Sequence, residues 1–312
     1  MPPHTFQISW SLRKFGLVYP AYQNLFLRFL KLNMTTSRQN IFRLLSAFAI
    51  LWSCNTPAYA NDMRITVTLP PLAGLVHLVA PDANVSCLLP GKADPHHFEL
   101  SPRQIETLKN SDLLIRASSD DAHWHGLDQA KKLDLWPGTS HADSHSWLNP
   151  ANARQMVESL AAAVPDVDVT ALERAKTTIA ATQQNWLSVL PALKKRGVIM
   201  QHPAWEHFFE AMGIPVLAVL ESDHHGQEQG PRALESALNT LKANPDAVLI
   251  GDTNHSNRTL QWIARHANDT SPDTDTIIYM DALGNCSESW AELMQRNLDI
   301  LASGLATGTS MP

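Results

Sequence analysis

Three cysteines in 312 residues, at positions 54, 87 and 286, are too few for a disulfide-built scaffold. None stands in a C-x-x-C pair, so a thiolate zinc site has little support. The chain also lacks the H-E-x-x-H of zinc proteases and the G-x-S-x-G elbow of serine hydrolases. No apolar run approaches the roughly 20 residues that a membrane-spanning helix needs. There is no internal repeat and no low-complexity tract. Acidic residues are missing from positions 1–60, which hold six Lys and Arg.

That one-sided start has a shape. Arg38 and Arg43 precede the apolar stretch Leu44 to Trp52, and Ala58-Tyr59-Ala60 offers a small-x-small cleavage site. A basic n-region, a short h-region and A-x-A read as a signal peptide over residues 34–60, cut after Ala60. Residues 1–33 read as an upstream extension from a mis-assigned start. Lipidation at Cys54 is the minor alternative, because Trp52 is bulky where a lipoprotein box wants a small residue. Of the 24 Lys and Arg, 18 then remain against 30 Asp and Glu, a formal balance of −12. Such a surface disfavours nucleic acid and anionic membranes. Cys87 and Cys286 would be the remaining thiols. A single disulfide could form after export, but spacing does not establish it, and we expect both to be unpaired.

The rest of the chain, 61–312, alternates strand-like and helix-like runs. Met63–Leu69, Ala83–Leu89, Leu113–Arg116, Val198–Met200, Val216–Leu220, Ala247–Ile250 and Thr276–Met280 are rich in β-branched and aliphatic residues. Between them lie helical patterns, of which the longest runs from Thr170 to about Lys195. Thr170 is its expected cap, with Glu173 as the capping-box partner. Pro191 should kink or interrupt its last turn, and Gly197 end it. Alternation of this kind predicts α/β architecture with mostly parallel sheets. We expect an N-terminal lobe over 61–168, a linker helix over 169–196 and a C-terminal lobe over 197–312.

Four candidate metal ligands are spread along this frame: His96 in Asp94-Pro-His-His-Phe, His145 in Asp143-Ser-His-Ser-Trp-Leu, His202 in Gln201-His-Pro-Ala-Trp, and Asp281 in Met280-Asp-Ala-Leu-Gly. Each follows or closes a strand-like run. Ligands of an open parallel sheet bind outside the carboxyl ends of its strands. Three imidazoles and one carboxylate suit a borderline divalent cation such as Zn2+, whereas oxygen-rich sets suit Mn2+. His97 is expected to stand behind His96. His123, His125, His141, His224 and His225 are candidates for a weaker accessory site. Asp252 and His255 read as a solvated loop at a strand end, with backup ligation as the minor alternative, and Trp147 and Trp205 as packing beside the site.

At these motifs the chain resembles the periplasmic metal-binding proteins of zinc and manganese ABC importers, the ZnuA/TroA-like group. Leu89-Pro-Gly-Lys-Ala-Asp-Pro-His96-His-Phe-Glu is similar to that family's first ligand loop. Asp143-Ser-His145-Ser-Trp-Leu-Asn-Pro-Ala-Asn-Ala is similar to the second, with Ser144 where Pro is usual and Asn149 where Asp is usual. His202-Pro-Ala-Trp-Glu-His-Phe-Phe and Met280-Asp281-Ala-Leu-Gly match the third and fourth, with Pro203 where Asp is common. Each motif alone is weak, but four in order over nearly the whole mature chain are specific. The resemblance implies two α/β lobes joined by one long rigid helix, with the metal in the cleft between them. It also implies a monomer that passes its metal to an inner-membrane ABC permease with a cytoplasmic ATPase. An imidazole at His202, where manganese members tend to carry a carboxylate, implies zinc. The alternatives are a manganese-binding homologue, a zinc store or adhesin of the same fold and, from another class, a secreted zinc hydrolase.

Overall fold

The computed structural model describes residues 63–91, 93–95, 98–117, 131–135, 145–221, 230–267 and 277–307. Among these, the aliphatic tetrads fold as short strands and the amphipathic runs as the helices between them. In the first half β1 (Arg64–Val67), β2 (Asn84–Cys87), β3 (Leu113–Arg116) and β4 (Lys131–Asp134) form one sheet in the order β2-β1-β3-β4. In the second half β5 (Val198–Met200), β6 (Val216–Val219), β7 (Val248–Asp252) and β8 (Ile277–Met280) repeat that order as β6-β5-β7-β8. Every pairing between these strands is parallel. In both sheets the chain moves first to one side and then to the other. Such a switch of direction opens a crevice at the carboxyl ends of the central strands, which in the second sheet are β5 and β7.

The helices begin where local chemistry lets them. α1 (Pro70–Val79) starts on the Pro70-Pro71 pair, whose fixed φ suits a first turn. α2 (Pro102–Lys109) carries a capping box between Ser101 and Gln104. In α3 (Pro150–Ala163) the Asn149 side chain accepts from the Ala151 N–H at 2.9 Å. The connector is α4 (Val169–Trp186), followed by α5 (Leu190–Arg196). Its cap is Asp168, which accepts from Ala171 N at 2.6 Å, and not Thr170. An acid two residues upstream starts the helix earlier. The helical run breaks over Leu187–Val189, so that Pro191 falls in the first turn of α5, where no N–H is needed. Gly197 ends α5 with φ of 72°. The second half adds α6 (Glu206–Ala211), α7 (Pro231–Ala243), α8 (Arg258–Ala267) and α9 (Trp290–Thr307).

The link between the halves is broader than the connector alone. α9 leaves β8 and packs on both α1 and α4. A continuous apolar core runs from Ile65 and Leu72 through Trp147 and Trp186 to Met280, Trp290 and Leu301. Gly74 lets α1 come close to α9: a Cβ there would lie 2.6 Å from the Trp290 backbone nitrogen. The Trp147 indole donates to the Ala282 carbonyl at 2.9 Å, and the Trp290 indole to the Trp147 carbonyl at 2.7 Å.

One expectation is corrected here, and one element is new. Cys87 and Cys286 are not free thiols but a disulfide with S–S of 2.07 Å and Cα atoms 5.9 Å apart. Folding brings the end of β2 to the turn after β8, a proximity invisible across 199 residues of sequence. β4 was not anticipated, because Lys131-Lys-Leu-Asp134 is a polar edge strand whose first two residues are exposed. The signal-peptide segment lies outside the described residues, and no described helix is long and apolar enough to cross a membrane.

Candidate metal centre

His145 and His202 each sit one residue before a short 3-10 turn, Ser146–Leu148 and Pro203–Trp205. His145 belongs to the first half and His202 follows β5 in the second. Both are buried, at 9% and 4% exposure. Their Nε2 atoms lie 3.3 Å apart. Two imidazoles on one tetrahedral zinc, with Zn–N of about 2.0–2.1 Å, hold their nitrogens about 3.3–3.4 Å apart. The pair is thus spaced as it would be around a shared ion. Trp147 presses edge-on against His145, with ring centroids 5.4 Å apart. Trp205 packs into an aromatic cluster with Trp186, Phe208 and Phe209.

The second sheet contributes further groups at its carboxyl edge. Glu221, two residues beyond β6, is 5% exposed and places Oε2 3.1 Å from His202 Nδ1. Its other oxygen, Oε1, accepts from the Gln201 side chain at 2.7 Å. His255, on the loop after β7, stacks on His202 with centroids 3.9 Å apart and planes 15° from parallel. His202, Glu221 and His255 form a group whose donor atoms all lie within 4.8 Å of one another. Geometry limits how that group is used. An imidazole lone pair lies in its ring plane, and two nearly parallel rings cannot both hold one ion in plane. As stacked, His255 covers His202 and does not share an ion with it.

Asp252 ends β7 and is 5% exposed. Burial pushes its pKa up to about 6, aided by the Asp281 and Glu221 carboxylates, against the pull of His202 and the Asn254 N–H. Asn257 braces the loop that carries His255: its Oδ1 accepts from Asp252 N at 2.8 Å, and its Nδ2 donates to the carbonyls of Asp252 and His255.

Asp281 caps the turn after β8. Oδ1 accepts from the backbone N–H groups of Leu283 and Gly284, both at 2.9 Å, and from Asn254 Nδ2 at 3.1 Å. Oδ2 meets Arg296 Nη2 at 3.1 Å, and Arg296 is itself held by Glu288. Burial would raise the Asp281 pKa, but these donors and the guanidinium outweigh it and hold the carboxyl below its ordinary value. The Asn297 side chain bridges the Asp281 backbone N–H and carbonyl, at 2.7 Å each. Asp281 is thus kept anionic and fixed, and it is tied to the His255 loop through Asn254.

Of the expected ligands, His145 and His202 are brought together, with Asp281 at the same strand edge. His96 and His97 lie outside the described residues, as do His123, His125, His141, His224 and His225. Glu221 had not been singled out. Its only sequence signal was an acid closing a strand-like run, Val216–Leu220.

Two parallel α/β halves with imidazoles from each meeting between them define a metal-binding solute-capture protein. The chain belongs to the family of the periplasmic zinc-uptake complex component A, ZnuA, whose model matches residues 65–304. It is similar to the iron ABC transporter substrate-binding lipoprotein MtsA of Streptococcus pyogenes, 21% identical over 301 residues covering 84% of this chain and 96% of MtsA. It is also similar to the zinc-binding lipoprotein AdcA of Streptococcus pneumoniae, 22% identical over 306 residues covering 84% of this chain and 60% of AdcA. Among solved structures, a crystal structure of ZnuA shares the fold, with a TM-score of 0.65 and 22% identity over 78% of this chain and 99% of that one. As a member of this family the chain is a metal-binding, substrate-binding protein of the ABC-importer type and not an enzyme, which sets aside the zinc-hydrolase reading.

Proposed function

We propose that this chain captures zinc, in preference to manganese, in the periplasm and hands it to an ABC permease with its cytoplasmic ATPase. His96, His145, His202 and Asp281 are the ligands in this reading. The mature chain is a monomer released by cleavage after Ala60, with an N-terminal lobe over 61–168, a linker over 169–196 and a C-terminal lobe over 197–312. The observation that carries the reading is the 3.3 Å separation of the His145 and His202 Nε2 atoms. Nitrogen donors of this kind favour zinc over manganese, and the relative AdcA is named as zinc-binding.

A second reading has its own support. Glu221, Asp252 and Asp281 line the same edge, and oxygen donors suit manganese or ferrous iron. MtsA is named for iron. Elemental analysis separates the two readings: the purified chain is offered equimolar zinc, manganese and ferrous iron without oxygen, then dialysed against a mild chelator. Transport of zinc predicts about one zinc per chain, with His202→Ala falling more than about 100-fold in affinity, beyond what loss of a supporting residue costs. Retained manganese or iron would move the chain to the second reading. A His202→Ala protein that still holds zinc would sink the ligand set.

A further inference from the structure

The carboxylate of Glu221 is not needed to fill the ligand set, yet it is buried against one of its members. Its hydrogen-bond partners form a chain whose polarity can be traced from one end. The Leu260 backbone N–H, in the first turn of α8, points at Gln201 Oε1 at 2.9 Å. A backbone N–H can only donate, so the amide oxygen of Gln201 faces α8 and its NH2 faces Glu221. Glu221 Oε1 accepts from that NH2 at 2.7 Å. Backbone pairing holds the same two residues together, with Glu221 N donating to Gln201 O at 2.9 Å. Glu221 Oε2 then offers an acceptor 3.1 Å from His202 Nδ1. A carboxylate accepts only, so in the neutral ring that a metal requires the hydrogen sits on Nδ1 and the Nε2 lone pair points at His145 Nε2, 3.3 Å away. Gln201, Glu221 and His202 are 0%, 5% and 4% exposed, so water does not compete for these groups.

We infer that Glu221 is the positioning residue of the metal centre: it holds His202 in the tautomer that presents Nε2 to the ion, under orders relayed from the α8 backbone through Gln201. The inference rests on the reading of His202 as a metal ligand. It does not make Glu221 a ligand. While Oε2 accepts from Nδ1 it lies on the side of the imidazole away from Nε2. Carboxylates placed behind a ligating imidazole in this way fix ring orientation and raise ligand basicity, and losing one costs about 10–100-fold in metal affinity.

The discriminating variant is Glu221→Gln. An amide at this position has one acceptor and one donor group where the carboxylate had two acceptors. With its oxygen taken by the locked Gln201 NH2, its own NH2 faces His202 and favours a lone pair on Nδ1. The hydrogen then moves to Nε2, where it blocks the ion. Two measurements on the purified chain test this. Nitrogen-15 NMR of histidine-labelled, metal-free protein, with His202 assigned by its loss in His202→Ala, should show hydrogen on Nδ1 in the wild type and on Nε2 in Glu221→Gln. Zinc affinity, read by competition with a chromophoric chelator, should fall about 10–100-fold in Glu221→Gln. A wild-type His202 with its hydrogen on Nε2 overturns the proposal even if the variant does not fold. So does a folded Glu221→Gln protein with unchanged zinc affinity, or anomalous scattering that places zinc on a Glu221 oxygen. If the wild type binds no zinc, the zinc reading fails, while the tautomer measurement still decides the relay.

Discussion

Arg64 grips Asp112 through its backbone N–H at 2.8 Å, Nε at 3.1 Å and Nη2 at 3.1 Å. These bonds, and then the guanidinium charge, lower the Asp112 pKa from 3.8 to about 2. A carboxylate with a depressed folded pKa stabilises fully above its unfolded value and loses that contribution as pH falls through the folded one. Asp112 should therefore matter at neutral pH and stop mattering on acidification from about 3.8 to 2. Thermal melts of wild type and Asp112→Asn should differ at pH 5 and converge toward pH 2; a gap independent of pH would rule this pair out as its cause. His145 and His202 were legible because each stands in a short motif with its own aromatic and proline neighbours. Glu221 was not, because its role comes from Gln201, His202 and Leu260, which only folding brings to it.

At the scale of elements, the pattern of aliphatic tetrads and turn residues was enough to place seven of the eight described strands. The missed one, β4, has no apolar alternation because it closes the edge of its sheet. The break at Leu187–Val189 falls where Pro191 was expected to interrupt the helix, because Pro191 has no N–H to offer the Leu187 carbonyl. The contact between α1 and α9 depends on a missing side chain. A methyl at Gly74 would meet the Trp290 backbone nitrogen at 2.6 Å and the Glu288 carbonyl oxygen at 3.0 Å. Backbone cannot rotate away as a side chain can. Gly74→Ala should therefore destabilise by about 1–3 kcal/mol, despite alanine's better helix propensity. Urea midpoints measure it, and a stabilised variant would show that α9 docks more loosely than described.

For the whole molecule, the connector helix is one of several links. The disulfide, the two indole hydrogen bonds and α9 all join the first half to the second. Removing the covalent link with a double Cys87→Ser and Cys286→Ser variant should cost about 2–5 kcal/mol, seen as a lower denaturant midpoint in the metal-free protein. An unchanged midpoint would mean that the remaining contacts suffice. The pairing also bears on how the chain is made. A polypeptide emerges from its N-terminus, so Cys87 must wait for a partner 199 residues behind it. Throughout that interval Cys54 is the one other thiol in the chain. If the leader is cut after Ala60 before oxidation, a single pairing remains, and maturation calls for an oxidant but no disulfide shuffling. Bond formation would then report that the chain has been made through β8, a check on assembly before the carrier is put to use.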